Sequence, residues 1–215
     1  MKPLVHRYKL HLFDKHFVMS LVISFLLLLG SLVVNFYAGT YATHAASNHV
    51  SDVILSNIPV IDFDWTFTYG PAILWAFVSI LCLWHPKRAP FVLKSIALFI
   101  LIRSVFITLT HIGPFPDQIA IDYTSHFIKK FTFQGDLFFS AHTGLPFLMA
   151  LIFQRHKIVS ILFIITSVFF GIIVLLAHLH YTIDVLSAFF ITFTIYKMAQ
   201  FFFKKDWLLF VSDHS

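Results

Sequence analysis

Six long apolar runs dominate the chain, and short polar connections separate them. A helix needs about 20 apolar residues to cross the hydrocarbon core of a bilayer. Backbone groups in lipid must pair within their own segment, so runs of this length predict helices, and the alternation typical of a membrane β-barrel is absent. The predicted spans are 17–38, 65–84, 90–112, 137–153, 158–179 and 183–203. The pattern predicts an all-α, polytopic membrane protein, a bundle of six transmembrane helices.

The composition strengthens this interpretation. Hydrophobic residues make up 59% of the chain and charged residues only 12%, with a mean hydropathy of +0.85. Soluble domains are about one quarter charged, so a soluble fold is excluded as the main interpretation. All ten acidic residues are aspartates. The single cysteine, Cys82, lies inside an apolar run and cannot form an intrachain disulfide.

Lysine and arginine are distributed unevenly between the two sides of the predicted bundle. Eleven lie in the N-terminal segment, the C-terminal tail and the connections on that side, against two, Lys129 and Lys130, on the other. This bias predicts that both termini are cytoplasmic. Residues 1–16 then form a basic cytoplasmic segment and residues 204–215 a cytoplasmic tail of one domain. The first run resembles a signal peptide, but it is longer than an h-region and favours a first span.

The net charge of +5 does not indicate a nucleic-acid partner. The basic residues form short clusters between apolar runs, without the interleaved aromatic side chains of a nucleic-acid surface. The expected partners are instead membrane lipids.

Three polar stretches interrupt the apolar pattern at 103–116, 135–144 and 178–184. In the predicted topology, all three fall on the non-cytoplasmic side. Stretches that are far apart in sequence therefore converge at one face of the membrane. This convergence predicts a functional site there.

His180 and Asp184 form the most suggestive pair. If this segment is the first turn of span six, the i,i+4 spacing places both side chains on one helix face. An aspartate that accepts a proton from one ring nitrogen fixes the tautomer and leaves the other nitrogen basic. Two other interpretations stay open: a polar pair that caps a helix, and a metal site completed by His142 and His178.

The stretch 135–144 carries further candidates. Asp136 precedes an apolar run and is expected to be the N-cap of a helix. Ser140, His142 and Thr143 lie inside the membrane boundary, where polar side chains face the bundle interior and are functional candidates. Ser140 as a nucleophile with His142 as its base is disfavoured, because residues two apart on a helix point in different directions.

Arg103 lies near the middle of span three, where burial of a charge costs about 2.5 to 3.5 kcal/mol on insertion scales. This cost predicts a partner, either a carboxylate or a bound phosphate. The alternative is a side chain that extends along the lipid face to the interface.

Together these residues resemble the sphingomyelin synthase family, a branch of the type-2 phosphatidic acid phosphatase superfamily. Residues 135–143, Gly-Asp-Leu-Phe-Phe-Ser-Ala-His-Thr, resemble that family's G-D-x-x-F-S-G-H-T. Residues 177–185, Ala-His-Leu-His-Tyr-Thr-Ile-Asp-Val, resemble its A-H-x-H-Y-T-x-D-V. The stretch from Arg103 to Pro116 is similar to its R-x₇-T…P-x-P motif with a one-residue slip, and 59–62 is weakly similar to a fourth motif.

The resemblance implies a phospholipid head-group phosphotransferase that needs no metal and no cofactor. His180 would attack the phosphorus of a glycerophospholipid, Asp184 would orient it, and His142 would protonate the departing diacylglycerol. The acceptor would be ceramide, diacylglycerol or another lipid alcohol. Arg103, Ser140 and Tyr181 are the expected substrate-binding residues, on the non-cytoplasmic face.

The sequence also departs from the family and from the superfamily. Ala141 replaces the family's glycine. The phosphatase pattern K-x₆-R-P is missing and no Ser-Arg pair precedes His180, which favours the transferase branch. Two rival functions stay open: a lipid phosphatase or phospholipase C-like hydrolase, and a non-catalytic transporter or scaffold.

Overall fold

The computed structural model describes residues 13–118, 133 and 135–212. These residues form seven α-helices and no strand. Two short 3₁₀ helices, Leu55–Asn57 and Pro86–Arg88, lie in the connections. The α-helices are α1 Lys15–Ala45, α2 Asp64–Trp84, α3 Ala89–Leu109, α4 Ala141–Ile152, α5 Lys157–Leu176, α6 Thr182–Phe202 and α7 Lys204–Ser212.

The described part of the chain is all-α, and its long apolar helices are consistent with a polytopic membrane protein. Four helices are long and apolar enough to cross a bilayer: Lys15–Ala45, Pro86–Leu109, Lys157–Leu176 and Thr182–Phe202. Tyr69–Trp84 and Ala141–Ile152 are shorter apolar helices. The count of six spans and the side of each terminus stay predictions. Lys2, Arg7, Lys9, Lys129 and Lys130, which contributed to the predicted orientation, lie outside the described residues.

We call the end at which α1 ends and α4 and α6 begin the histidine end. The opposite end, at which α1 begins and α6 ends, is the basic end. Helix α1 reaches far beyond its predicted boundary of residue 38 and continues to Ala45 at the histidine end. Its small residues face α3, and the Ser24 hydroxyl donates to the Pro90 carbonyl at 3.2 Å. Small side chains allow two membrane helices to approach closely.

Helix α4 is enclosed by α3, α5 and α6 and forms the centre of the main core. Leu148 and Met149 are fully buried there against Phe99 of α3 and Ile195 of α6. The helix was expected to begin near residue 137, but it begins at Ala141. Residues 136–140 lie outside the helix because their polar groups are bonded to other segments, as described below.

The expected C-terminal tail is a docked helix over the residues described, 204–212. Asp206 of α7 is buried, and its carboxylate accepts a hydrogen bond from Lys94 Nζ at 2.6 Å. Ser20 of α1 joins the pair, because Lys94 Nζ donates to its hydroxyl at 2.8 Å. Lys94 therefore lies inside α3 with a buried counterion. Helix α7 closes the basic end of the bundle.

Candidate active site

The connection between α5 and α6 reverses the chain in a tight turn. After α5 ends, the His178 N–H donates to the Leu175 carbonyl at 3.0 Å and the Leu179 N–H to the Val174 carbonyl at 2.9 Å. This is the Schellman pattern of a helix C-terminus, in which the residue after the cap adopts a left-handed conformation. His178 has that conformation, with φ 53°. The turn sets the direction in which residues 179–181 leave α5.

His178 is buried at this turn, with its ring edge-on to Phe115 at 5.1 Å between centroids. Within the described part of the chain, neither of its ring nitrogens has a hydrogen-bond partner.

The start of helix α6 is capped by the side chain of Asp184, the third residue of the helix. Tyr181 is the N-cap, and its N–H donates to Asp184 Oδ2 at 2.9 Å. His180 precedes the helix, so the condition that both residues lie in the first helical turn is not met. The pair nevertheless meets, with 3.5 Å between His180 Nδ1 and Asp184 Oδ2. His180 Nδ1 makes no hydrogen bond in this arrangement, so the two groups are in close contact but not bonded.

His142 lies in the first turn of α4 and faces the α5–α6 turn. Its ring centroid is 6.4 Å from that of His180. The two helix starts are joined directly, because the Ser140 N–H donates to the Asp184 carbonyl at 3.1 Å. The structure therefore brings His142, His180 and Asp184 together at the histidine end. Asp184 is fully buried and His180 nearly so.

Ser140 is the N-cap of α4, the position that the sequence assigned to Asp136. Its hydroxyl accepts from the Thr143 N–H at 3.4 Å, and the side chain is completely buried. The Asp136 prediction failed because a capping aspartate and an aspartate paired with a distant arginine look alike in sequence.

Arg103 is the partner of Asp136. Its guanidinium donates to Asp136 Oδ1 at 2.5 Å, to the Asp136 carbonyl at 3.0 Å and, through Nε, to the Phe139 carbonyl at 2.6 Å. The side chain is buried, which excludes the alternative of an extension along the lipid face. These three bonds hold residues 136–139 outside the helix and place Ser140 and His142 at the start of α4.

A connection that the sequence left unassigned lies against the same site. Residues 46–63, between α1 and α2, contact the 111–113 connection and the α5–α6 turn; we call them the cover segment. The Asp52 carboxylate accepts from the Thr182 N–H at 2.7 Å and from the Thr182 hydroxyl at 2.8 Å. Sequence reasoning missed Asp52. Its local bonds to Ile54 N and Leu55 N follow a readable Asx pattern, but Thr182 is 130 residues away.

The ionisation of the residues in this contact follows from their surroundings. Partial burial opposes the charge on Asp52, but hydrogen bonds from Thr182, Leu55 and Ile54 outweigh it and lower the pKa of the carboxyl. Burial raises the pKa of Tyr181, so its hydroxyl stays protonated. That hydroxyl donates to the Gly113 carbonyl at 2.8 Å and accepts from the Val50 N–H at 3.3 Å.

A large apolar cavity of about 780 Å³ lies between α1, α2, α3 and α4. Its lining runs from Phe17 and Pro86 near the basic end to Arg103 and Asp136 near the histidine end, and includes neither His142 nor His180. The Arg103–Asp136 pair therefore lies at the boundary of an apolar space long enough to extend through much of the bundle.

The metal interpretation finds no support in the geometry. Across 13–118, 133 and 135–212, no three histidine, cysteine or acidic side chains are grouped closely enough to hold a metal ion. The arrangement is instead suited to acid–base and nucleophilic chemistry by two imidazoles and one carboxylate.

Comparison with known protein families agrees with this chemistry. Residues 135–201 match the family model described as PAP2 superfamily C-terminal. The match supports the type-2 phosphatidic acid phosphatase superfamily. Members of this superfamily are typically lipid phosphatases and phosphotransferases. The matched residues include His142, His180 and Asp184, but the match does not extend to the narrower sphingomyelin synthase family. No curated protein and no solved structure matched the chain.

Proposed function

We propose that this protein is a membrane phosphotransferase that moves a phospho-alcohol head group from a glycerophospholipid to a lipid hydroxyl. The observation that carries the proposal is the meeting of His142, His180 and Asp184 at one end of a membrane bundle, with ring centroids 6.4 Å apart and a carboxylate 3.5 Å from His180. At this separation, one imidazole can act as the nucleophile and the other as the general acid and base.

In the first half-reaction, His180 is the nucleophile. Its Nδ1 faces Asp184, so Nε2 is the nitrogen left to attack phosphorus. The N–P bond forms as the bond between phosphorus and the diacylglycerol oxygen breaks, and His142 in its protonated form gives a proton to that oxygen. Asp184 stabilises the positive charge that develops on the His180 ring. Contacts of this kind often tighten when substrate is bound, which is consistent with the present 3.5 Å.

In the second half-reaction, His142 is neutral and acts as a base. It takes the proton of the incoming lipid hydroxyl, whose oxygen attacks phosphorus as the N–P bond breaks. His180 returns to its starting state and His142 is again protonated. The cycle is balanced without an external proton, because the proton given to diacylglycerol is recovered from the acceptor.

The sequence assigns Arg103, Ser140 and Tyr181 to substrate binding. In the structure, their polar groups bond the protein itself: Arg103 holds 136–139, Ser140 caps α4 and the Tyr181 hydroxyl bonds Gly113 and Val50. Within this proposal, they position the two turns that carry the imidazoles. The apolar cavity that ends at Arg103 is suited to the acyl chains of a lipid substrate.

The test is a product assay with purified protein in lipid nanodiscs. Labelled phosphatidylcholine and phosphatidylethanolamine are supplied with ceramide and diacylglycerol as acceptors, and products are identified by mass spectrometry. His180→Ala and His142→Ala should abolish formation of the new phospholipid. His16→Ala, an exposed histidine at the basic end, is the matched control and should retain the wild-type rate. Full head-group exchange by His180→Ala would overturn the proposal.

A hydrolase is the second candidate, because the superfamily match includes phosphatases as well as transferases. Water would then replace the lipid hydroxyl in the second half-reaction. The same assay separates the two functions: transfer yields a new phospholipid together with diacylglycerol, whereas hydrolysis yields a free phospho-alcohol or phosphate.

A further inference from the structure

The cover segment is bonded to the 111–113 connection and to the residues at both ends of the α5–α6 turn. Its backbone pairs with the α3 exit, where the Ser47 N–H donates to the His111 carbonyl at 2.8 Å and the Gly113 N–H to the Asn48 carbonyl at 3.2 Å. Further along, the Ile61 N–H donates to the Leu176 carbonyl at the end of α5 at 2.9 Å. Leu55 is fully buried in a cluster with Leu137 and Tyr181. The segment is therefore part of the packed structure around the site.

Asp52 is the point at which the cover segment contacts α6. Oδ2 accepts from the Thr182 N–H, while Oδ1 accepts from the Thr182 hydroxyl and from the N–H groups of Ile54 and Leu55. One carboxylate thus caps a 3₁₀ turn in its own segment and the first residue of a helix 130 residues away. A negative charge at a helix N-terminus also complements the helix dipole.

The capping of α6 is divided between two aspartates. The first N–H groups of a helix have no partner within the helix. Asp184, which belongs to α6, accepts a hydrogen bond from the Tyr181 N–H. Asp52, which lies outside the helix, accepts one from the Thr182 N–H. Asp184 Oδ2 is also the atom that faces His180. The position of the Asp184 carboxylate relative to the imidazole therefore depends on a first turn that Asp52 holds in place.

We propose that Asp52 is a positioning residue for the reaction at His180, acting through Thr182 and the first turn of α6. This inference rests on the proposed function for its catalytic readout. Without the external cap, the Thr182 N–H loses its partner and the first turn of α6 opens more often. Asp184 then spends less time against His180, and the nucleophile is less well oriented. Misplacement by about 1 Å at a reacting group can cost about a hundredfold in rate.

The test compares Asp52→Ala with a matched control, Asp14→Ala. Asp14 is also a capping aspartate, since it accepts from the His16 N–H at 2.9 Å, but it caps α1 at the basic end. Thr182→Val removes only the hydrogen bond from the Thr182 hydroxyl to Asp52, whereas Thr182→Ser keeps a hydroxyl that can make it. For each variant, kcat and KM for head-group transfer are measured in nanodiscs, together with deuterium uptake of the peptide that contains 176–185.

Asp52→Ala should lower kcat by about tenfold or more with KM changed by less than about twofold, and should speed deuterium uptake at 176–185. Thr182→Val should shift both quantities in the same direction by a smaller amount. Thr182→Ser and Asp14→Ala should keep the wild-type kcat, KM and deuterium uptake at 176–185. A purely structural role would lower thermal stability without this split between kcat and KM.

Wild-type kcat and wild-type uptake in Asp52→Ala would overturn the inference, and so would a loss of kcat with unchanged uptake. If the wild-type protein shows no transfer or hydrolysis, the proposed function fails. The uptake measurement then decides separately whether Asp52 holds the first turn of α6, and unchanged uptake would still reject that role.

Discussion

His178 occupies a backbone position that usually belongs to glycine. A left-handed conformation costs an L-amino acid about 1 to 2 kcal/mol, and glycine avoids this cost because it has no Cβ. The Schellman bonds around 174–179 nevertheless require φ 53° at this residue. His178 therefore adopts its backbone conformation at a local cost in free energy.

His178→Gly should consequently be more stable than His178→Ala by about 1 kcal/mol, although glycine is the smaller residue. Both variants lose the same imidazole, so the difference in their stability reports the cost of the left-handed backbone conformation alone. Thermal unfolding of the two purified variants in the same detergent measures it. An alanine variant as stable as the glycine variant would show that residue 178 is not left-handed.

At the scale of the helices, the close approach of residue 135 to the end of α1 is a contact that sequence patterns do not reveal. A Cβ on Gly135 would clash with the Ala42 carbonyl oxygen, which is backbone and cannot move aside alone. Gly135 directly precedes residues 136–139, which Arg103 holds. The end of α1 is therefore in contact with the segment that leads to His142. Gly30, in the middle of α1, has open space in the direction of its missing Cβ.

Gly135→Ala should therefore lower both thermal stability and head-group transfer, because the 135–140 path must shift. Gly30→Ala is the matched control and should leave both unchanged or slightly raise stability, since alanine is the better helix former. Unfolding temperature and transfer rate are measured side by side. Equal behaviour of the two variants would contradict the contact between residue 135 and α1.

Helix α7 is docked through a charge pair that lies inside the bundle. Lys94→Met removes one partner and leaves the Asp206 carboxylate buried without its cation, which should cost about 3 to 5 kcal/mol. The double variant Lys94→Met, Asp206→Leu should recover most of that loss, because no charge is left unpaired. Lys205→Met, an exposed neighbour, is the control. Additive losses in the double variant, measured by thermal unfolding, would show that the two residues do not interact.

The helices were predictable from the sequence to the extent that hydropathy determines them. The apolar runs located the four helices that are long enough to cross a bilayer and the two shorter apolar helices. The largest boundary error is at the end of α1, which continues to Ala45. The start of α4 was also misplaced, because Leu137 to Phe139 are apolar but held outside the helix by Arg103. The tail was misassigned because α7 is short, with lysines at its start, and only its contact with Lys94 reveals that it is docked.

For the molecule as a whole, the bundle matters because it joins short polar stretches from distant parts of the chain. The prediction that three stretches converge at one end needed only hydropathy and charge bias, and the Ser140–Asp184 backbone bond shows how directly two of them meet. The contribution of Asp52 was not predictable, because a pairing across 130 residues leaves no periodic signal. The sequence thus located the candidate site but not the connections that hold it.

The most direct test of this account is to look for the covalent intermediate. Wild-type protein is incubated with head-group-labelled phospholipid in the absence of a lipid acceptor, quenched and digested under alkaline conditions that preserve phosphohistidine, and mapped by mass spectrometry. We expect His180 to carry the labelled head group, and this label should be lost when ceramide or diacylglycerol is added. Steady transfer with no label on the protein, or a label on any residue other than His180, would contradict it.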